Sequence, residues 1–266
     1  MPKVQVEKSL NQDKIKKIAD LLRGAKSVLF ITGAGISADS GLPTYRGISG
    51  LYNDKTTEDD IPIEMALAGE TLETKPHITW KYLARIEEKC RGAKPNRAHE
   101  IIKEMEKHFE RVCVFTQNID GLHHKAGSKT IIDIHGDMYK LICSHCMWRG
   151  IIKDYSEIKI PPVCPECNKI VRPQVVFFGE ILPYDKCQIL LEELEKVFDV
   201  YFSIGTTSVF HYISQPMVDA KANGRPTIEI NPDRTHISDI VDIKLPLGAA
   251  EALDKIWKEY KIIDRR

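Results

Sequence analysis

The sequence predicts an α/β fold, a doubly wound parallel sheet with a smaller domain beside it, and three features predict it. Apolar runs of strand length recur with helix-length segments between several of them. The first run ends in a glycine-rich turn. Two polar stretches, about 47–95 and 137–173, interrupt the alternation and read as insertions. Strands buried on both faces and linked by helices bind ligands in the crevice beyond their carboxyl ends.

At the amino-terminal end, residues 13–23 place Ile15, Ile18, Ala19 and Leu22 at helical spacing, with Gly24 as the stop. Ser27–Thr32 is an unbroken apolar strand, and similar runs stand at 112–115, 130–134, Val200–Ile204 and Thr227–Ile230. The segment 47–95 reads as loops plus helices, 137–173 holds four cysteines, and 249–260 reads as a closing helix. There is no internal repeat and no low-complexity tract. A single unit of 1–266 is expected. Its large Rossmann-like part takes about 1–46, 96–136 and 174–266; its small part takes the helical insertion 47–95 and the cysteine insertion 137–173.

Composition narrows the function classes. The 266 residues carry 38 basic and 38 acidic side chains, so no global field draws the chain to nucleic acid or membrane. A 42% hydrophobic, 29% charged sequence with 16 glycines and 14 prolines is that of a globular protein, not a disordered or collagenous one. No apolar run approaches the ~20 residues of a membrane span, and Lys3, Glu7 and Lys8 break any signal-peptide pattern, so a cytoplasmic location is expected.

Of seven cysteines, Cys143, Cys146, Cys164 and Cys167 form two C-x-x-C pairs, the spacing of a metal site. Four thiolates favour zinc in a closed tetrahedral cage, a structural site with no position left for a substrate water. Cys90, Cys113 and Cys187 read as small apolar residues. Lys140, Arg149, Lys153 and Lys169 make no basic cluster around the cysteines, so direct nucleic-acid binding is not expected.

Gly33-Ala34-Gly35-Ile36-Ser37-Ala38 satisfies G-x-G-x-x-A directly after a strand, where glycines let the backbone approach a pyrophosphate and a following helix start supplies free N–H groups. No strand ends in an acidic residue some 20 positions later, which disfavours ordinary hydride transfer.

Extended to Gly47, this turn (…Asp39-Ser40-Gly41-Leu42-Pro43-Thr44-Tyr45-Arg46-Gly47) closely resembles the first signature of the sirtuins, NAD-dependent protein deacylases. Thr116-Gln117-Asn118-Ile119-Asp120-Gly121-Leu122-His123 resembles the second and Ile134-His135-Gly136 the third. The cysteine pairs fall where the family carries its zinc ribbon. Arg172 to Glu180, Gly205-Thr206-Thr207-Ser208 and Ile230-Asn231-Pro232-Asp233 come next, in family order.

The resemblance implies cleavage of the nicotinamide–ribose bond of NAD, with the acyl oxygen of a modified lysine attacking the ribose C1′ carbon. His135 matches the base that deprotonates a ribose hydroxyl, a task suited to an imidazole with an ordinary pKa of about 6.5. Asn118 and Asp120 match the pair that fixes the ribose and the nicotinamide carboxamide, completing the expected catalytic set. Cofactor contacts are implied at Gly33, Ala34, Gly35, Ser37, Ala38, Tyr45 and Arg46, then at Gln117 and Ile119 beside the catalytic set. Later in the chain the implied contacts are Gly205, Thr206, Thr207, Asn231, Asp233 and Ala249. Four positions depart from the family pattern: Tyr45 replaces its commoner phenylalanine, Thr207 its serine, and Tyr212-Ile213 a proline-alanine pair.

The substrate implied is an acylated-lysine protein, and a monomer is expected. The peptide adds a strand along Val176, Phe177, Phe178, Gly179 and Glu180. Tyr82-Leu83-Ala84-Arg85 has the Tyr-x-x-Arg spacing that some sirtuins use for succinyl- or malonyl-lysine, though one residue early, and Tyr82 with Arg85 is therefore expected to hold an acidic acyl group. Two other functions fit the same sequence: protein ADP-ribosylation from the same site, and a zinc-containing binding module without catalysis.

Overall fold

Six consecutive residues with no polar face cannot lie on a surface, and all of Ser27–Thr32 is buried at the centre of a parallel sheet. The computed structural model describes residues 2–44 and 57–262, with side chains from Ser9 onward. Over these residues the chain runs α1 (Pro2–Arg23), β1 (Ser27–Thr32), α2 (Ile63–Ala66), α3 (Gly69–Thr74), α4 (Pro76–Cys90), α5 (Arg97–Met105), β2 (Arg111–Thr116), α6 (Leu122–Ala126) and β3 (Ile131–Asp133). It continues through β4 (Gly136–Cys143), β5 (Arg149–Ile151), β6 (Val171–Val175), α7 (Tyr184–Glu195), β7 (Val200–Ile204), α8 (His211–Ala222), β8 (Thr227–Ile230), β9 (Ile243–Leu245) and α9 (Ala249–Ile262).

Six strands form one parallel sheet in the order β3-β2-β1-β7-β8-β9. Alternate residues of β1 enter different layers. Val28 and Phe30 pack with Ile15, Ile18 and Leu22 of α1, Ile101 of α5 and Trp257 of α9; Leu29 and Ile31 pack with Leu190 of α7 and Met217 of α8. Burying each such side chain contributes about 1.5–3 kcal/mol, so both faces stabilise the central strand. The order reverses between β2 and β7 around β1, which opens a crevice where β1 and β7 end.

The five expected strands all belong to this sheet, with 130–134 shortened to β3. The sixth, β9, has three residues and no pattern long enough to read. The first helix begins at Pro2 rather than Asp13. Proline is tolerated in a first turn, and Leu10 in the added part is exposed, so no core-facing stripe marked it.

The cysteine insertion is also a sheet. β4 pairs antiparallel with β5 and β6, and this sheet shares a hydrophobic cluster with α4. Trp80 of α4 donates its indole N–H to the Val171 carbonyl at 3.0 Å, and the Tyr155 hydroxyl donates to the Met138 carbonyl at 2.8 Å. The four sulfurs lie within 4.8 Å of one another, with Cys143–Cys167 at 3.5 Å and Cys146–Cys164 at 3.4 Å. Tetrahedral zinc with Zn–S bonds of about 2.3 Å spaces sulfurs about 3.8 Å apart, so the cage fits that ion. The two C-x-x-C turns match: Met147 and Asn168 each follow a second cysteine at positive φ and donate their N–H groups to the carbonyls of Cys143 and Cys164. Cys90 and Cys113 are buried, and burial pushes both thiols up to about 12. No helix among the described residues is long and apolar enough to cross a membrane.

Two buried imidazoles, His99 of α5 and His123 of α6, lie with ring centroids 4.8 Å apart. Burial lowers His99 to about 4 and His123 well below its ordinary value.

The cysteine cage and the histidine pair can each be tested through stability. Cys164→Ser lowers bound zinc below one per chain and removes hydrogen-exchange protection from β4 and β6 before β1, with a fall in Tm of about 2–4 °C per kcal/mol lost. For the histidine pair, the unfolded chain takes up protons near pH 6.5 while the folded chain does not, so stability falls as pH drops from about 6.5 towards 4, by up to about 1.4 kcal/mol per unit per histidine. Urea titrations of His99→Gln should show a shallower slope in that window; an equal slope refutes the assignment.

Candidate active site

The glycine turn leaves β1 directly against the loop that leaves β7. Gly33 donates its N–H to the Ile204 carbonyl at 3.0 Å and Gly35 to the Gly205 carbonyl at 2.8 Å. A Cβ on Gly35 would stand 2.5 Å from the Gly205 Cα, and Gly205 itself adopts φ +60°. Side chains are excluded at Gly33, Gly35 and Gly205, which leaves backbone exposed to the crevice at the point of contact.

Beyond the turn the chain departs from the expected helix start. It makes two 3-10 turns, Ala34–Ile36 and Ala38–Ser40, and no long helix begins there; Gly41 at φ 83° and then Pro43 end the run. The ladder of N–H groups expected of a long helix start is thus reduced to a short coil. Asn96 holds it from α5, donating to the Ile36 carbonyl at 2.7 Å and to the Ser40 hydroxyl at 3.0 Å.

After β2, residues 117–120 pass under this turn. Gln117 donates its side-chain N–H to the Thr206 hydroxyl at 2.7 Å. Asn118 is buried, with its amide donating to the Gly33 carbonyl at 3.1 Å and to the Ser37 hydroxyl at 3.3 Å. Asp120 accepts from the Ser37 hydroxyl at 2.7 Å and from the Leu122 N–H at 2.9 Å. Burial pushes the Asp120 carboxyl up, against the downward pull of those two donors.

His135 sits between β3 and β4. Its Nδ1 lies 3.0 Å from the Gln117 carbonyl, which can only accept, so Nδ1 carries the proton and Nε2 a lone pair. Nε2 lies 2.7 Å from the Tyr212 hydroxyl. Burial lowers its pKa, opposed by the Gln117 carbonyl and assisted by the charge of Lys186, so the imidazole is neutral near pH 7. Lys186 is fixed by Asp133, accepted at 2.7 Å by its carboxylate; burial works against that carboxylate's ionisation, but His124 and Lys186 hold it at about 2.

A cavity of about 600 Å³ joins these groups. Gly33, Ala34, Gly35, Ala38, Gln117, Asn118, Ile119 and His135 line it, as do Gly205, Thr206, Thr207, Asn231, Asp233, Ala249 and the 176–180 segment. Ser37 and Asp120 line an adjoining recess that shares Ala34, Asn118 and Ile119 with the main cavity. Tyr45 and Arg46 lie outside the described residues. Within the 176–180 segment, Phe178 bridges Ala68 in parallel, giving its N–H to the Leu67 carbonyl at 3.0 Å and accepting from Gly69 at 3.1 Å. Glu180 is gripped by Arg172 at 2.5 and 2.7 Å.

Tyr82 and Arg85 do not line the cavity: the Tyr82 hydroxyl donates to Asp59 at 2.6 Å, and Arg85 binds Glu58 at 2.8 Å. A helix turns 100° per residue, and the one-residue offset presents Leu83 and Ile86 to the cavity instead, with Leu67 beside them. Sequence reasoning also missed Phe210 and Tyr212 as lining residues. The only signal for either was the departure from the family pattern at Tyr212.

Comparison with known proteins accords with this geometry. The model of the Sir2 family matches residues 33–211. The chain is 43% identical to NAD-dependent protein deacylase 2 of Pseudomonas aeruginosa, over 91% of this chain and 95% of the relative. Its fold is similar to that of a mutant Sir2 homologue in complex with ADP-ribose, at TM-score 0.85 and 33% identity over 94% of this chain and 97% of that one. It is also similar to a Sir2 complex with p53 peptide and NAD+, at TM-score 0.80 and 28% identity over 93% and 99%. The chain belongs to the Sir2 family.

Proposed function

We propose that this chain is an NAD-dependent protein-lysine deacylase in which His135 is the base. The carrying observation is a neutral imidazole, anchored at Nδ1 by the Gln117 carbonyl, in a cavity that the glycine turn also lines. Gly33, Gly35 and Gly205 line the cavity where the two loops meet too closely for any Cβ, and the backbone they expose there suits the pyrophosphate of the dinucleotide. Asn231 and Asp233, joined by a 3.1 Å bond from the Asp233 N–H to the Asn231 side chain, lie at the end of β8, suited to the adenosine ribose.

The nicotinamide carboxamide is held at the Asn118 side of the main cavity, next to the Asp120 recess, where an amide and a carboxyl are themselves fixed by Ser37. The acyl oxygen attacks the ribose C1′ as nicotinamide leaves. His135 then removes a proton from a ribose hydroxyl, the 2′-oxygen bonds to the acyl carbon, and the lysine nitrogen, protonated, leaves it. One water adds to that carbon, so the original acyl oxygen stays on C1′ and the products are free lysine and 2′-O-acyl-ADP-ribose. The acyl-lysine peptide runs along 176–179. Zinc takes no part in these steps; the four thiolates complete its coordination and it holds the β4–β6 sheet.

The acyl end of the cavity is apolar. Leu67, Leu83 and Ile86 offer no partner to a carboxylate, and Arg85 is already paired with Glu58, so uncharged acyl groups are the substrates.

Incubation with NAD and an acetyl-lysine peptide should release nicotinamide, deacylated peptide and acetylated ADP-ribose, seen by mass spectrometry; no nicotinamide release overturns the reading. His135→Asn should lower kcat by about 10²–10⁴-fold with zinc retained. Because the base works neutral, kcat/KM should fall with acid through a pKa below 6.5, the direction in which burial moves His135. Acetyl removal should exceed succinyl removal, and Arg85→Met should change neither by more than about twofold, the size of a surface ion-pair effect; a selective loss of succinyl turnover would restore the expected carboxylate site at Tyr82 and Arg85.

A further inference from the structure

His135 stands in an aromatic corner built by the segment after β7. Phe210 immediately precedes α8 and Tyr212 lies in its first turn; their rings stack at 5.5 Å and 15°. Both stand nearly edge-on to the imidazole, at 87° and 81°. Since Nδ1 spends its proton on the Gln117 carbonyl, the 2.7 Å contact at Nε2 is a hydrogen bond that the Tyr212 hydroxyl donates. A neutral imidazole has one in-plane lone pair at this nitrogen. The phenol and a ribose hydroxyl cannot both hold it.

We propose that Tyr212 is a positioning residue that occupies the lone pair of the base and exchanges one for one with the ribose hydroxyl of NAD. The phenol keeps the imidazole in one tautomer and one direction, and its departure is part of what NAD binding costs. The phenol keeps its own proton throughout; the proton that Nε2 later accepts comes from the ribose. The inference rests on the deacylase reading of the site. Tyr212 stands at one of the places where this chain departs from the family pattern, where a proline-alanine pair would carry no hydroxyl.

Tyr212→Phe removes the hydroxyl and leaves the ring to stack on Phe210. Calorimetric titration of the whole chain with NAD should then give a Kd about three- to tenfold lower than the wild type, the effect of one net hydrogen bond no longer broken on binding, and kcat/KM for NAD should rise with it. An unchanged or higher Kd overturns the proposal. So does an unchanged Kd with kcat about 100-fold lower, which would put the phenol in the proton path. Failure is separable from that of the deacylase reading: if the wild type neither binds NAD nor releases nicotinamide from it, that reading falls, whereas ordinary turnover with an insensitive Kd removes only the role of Tyr212.

Discussion

The site depends on two loops being allowed to touch. Gly35 and Gly205 meet backbone to backbone where the strand order reverses, at separations that leave no room for a methyl group. A parallel sheet opens a crevice at such a point in any case, but the crevice becomes a dinucleotide cradle only if its floor is peptide rather than side chain. The other features derive from that contact: Asn118 reaches the Gly33 carbonyl because the turn lies so low, and Gln117 reaches Thr206 because the second loop is drawn in beside it.

The interior of this site is polar but closed on itself. Ser37 serves Asp120 and accepts from Asn118, Thr206 accepts from Gln117, and its carbonyl accepts from Asn231 at 3.1 Å. Such groups are expensive to bury singly and inexpensive as a connected set. The result is a polar frame around a cavity that Leu67, Leu83 and Ile86 also line, so polar and apolar surfaces share one space.

How much of this could be read in the sequence depended on how local each feature is. The glycine turn and the paired cysteines are short-range chemistry and stand out in six and four residues. The central strands were legible because they are buried on both sides. The three-residue β9 was not, nor were the strands flanking the cysteines, where alternation is brief. Tyr82 and Arg85 have the right spacing to each other but a phase about the helix axis that turns them from the cavity, and phase is fixed by which α4 side chains the small domain buries, Trp80 above all, not by the pair itself. Tyr212 was visible as an irregularity, yet only the fold brings residue 212 to residue 135.

The strand that carries the weight between metal and substrate is β6. It starts four residues after the last cysteine and ends where the cavity wall begins, and Arg172 near its start clamps Glu180 in that wall while its own guanidinium lies 4.7 Å over the Phe177 ring. The ribbon is therefore a brace as well as a staple: one short strand ties the sulfur cage directly to the cavity wall at 175–180.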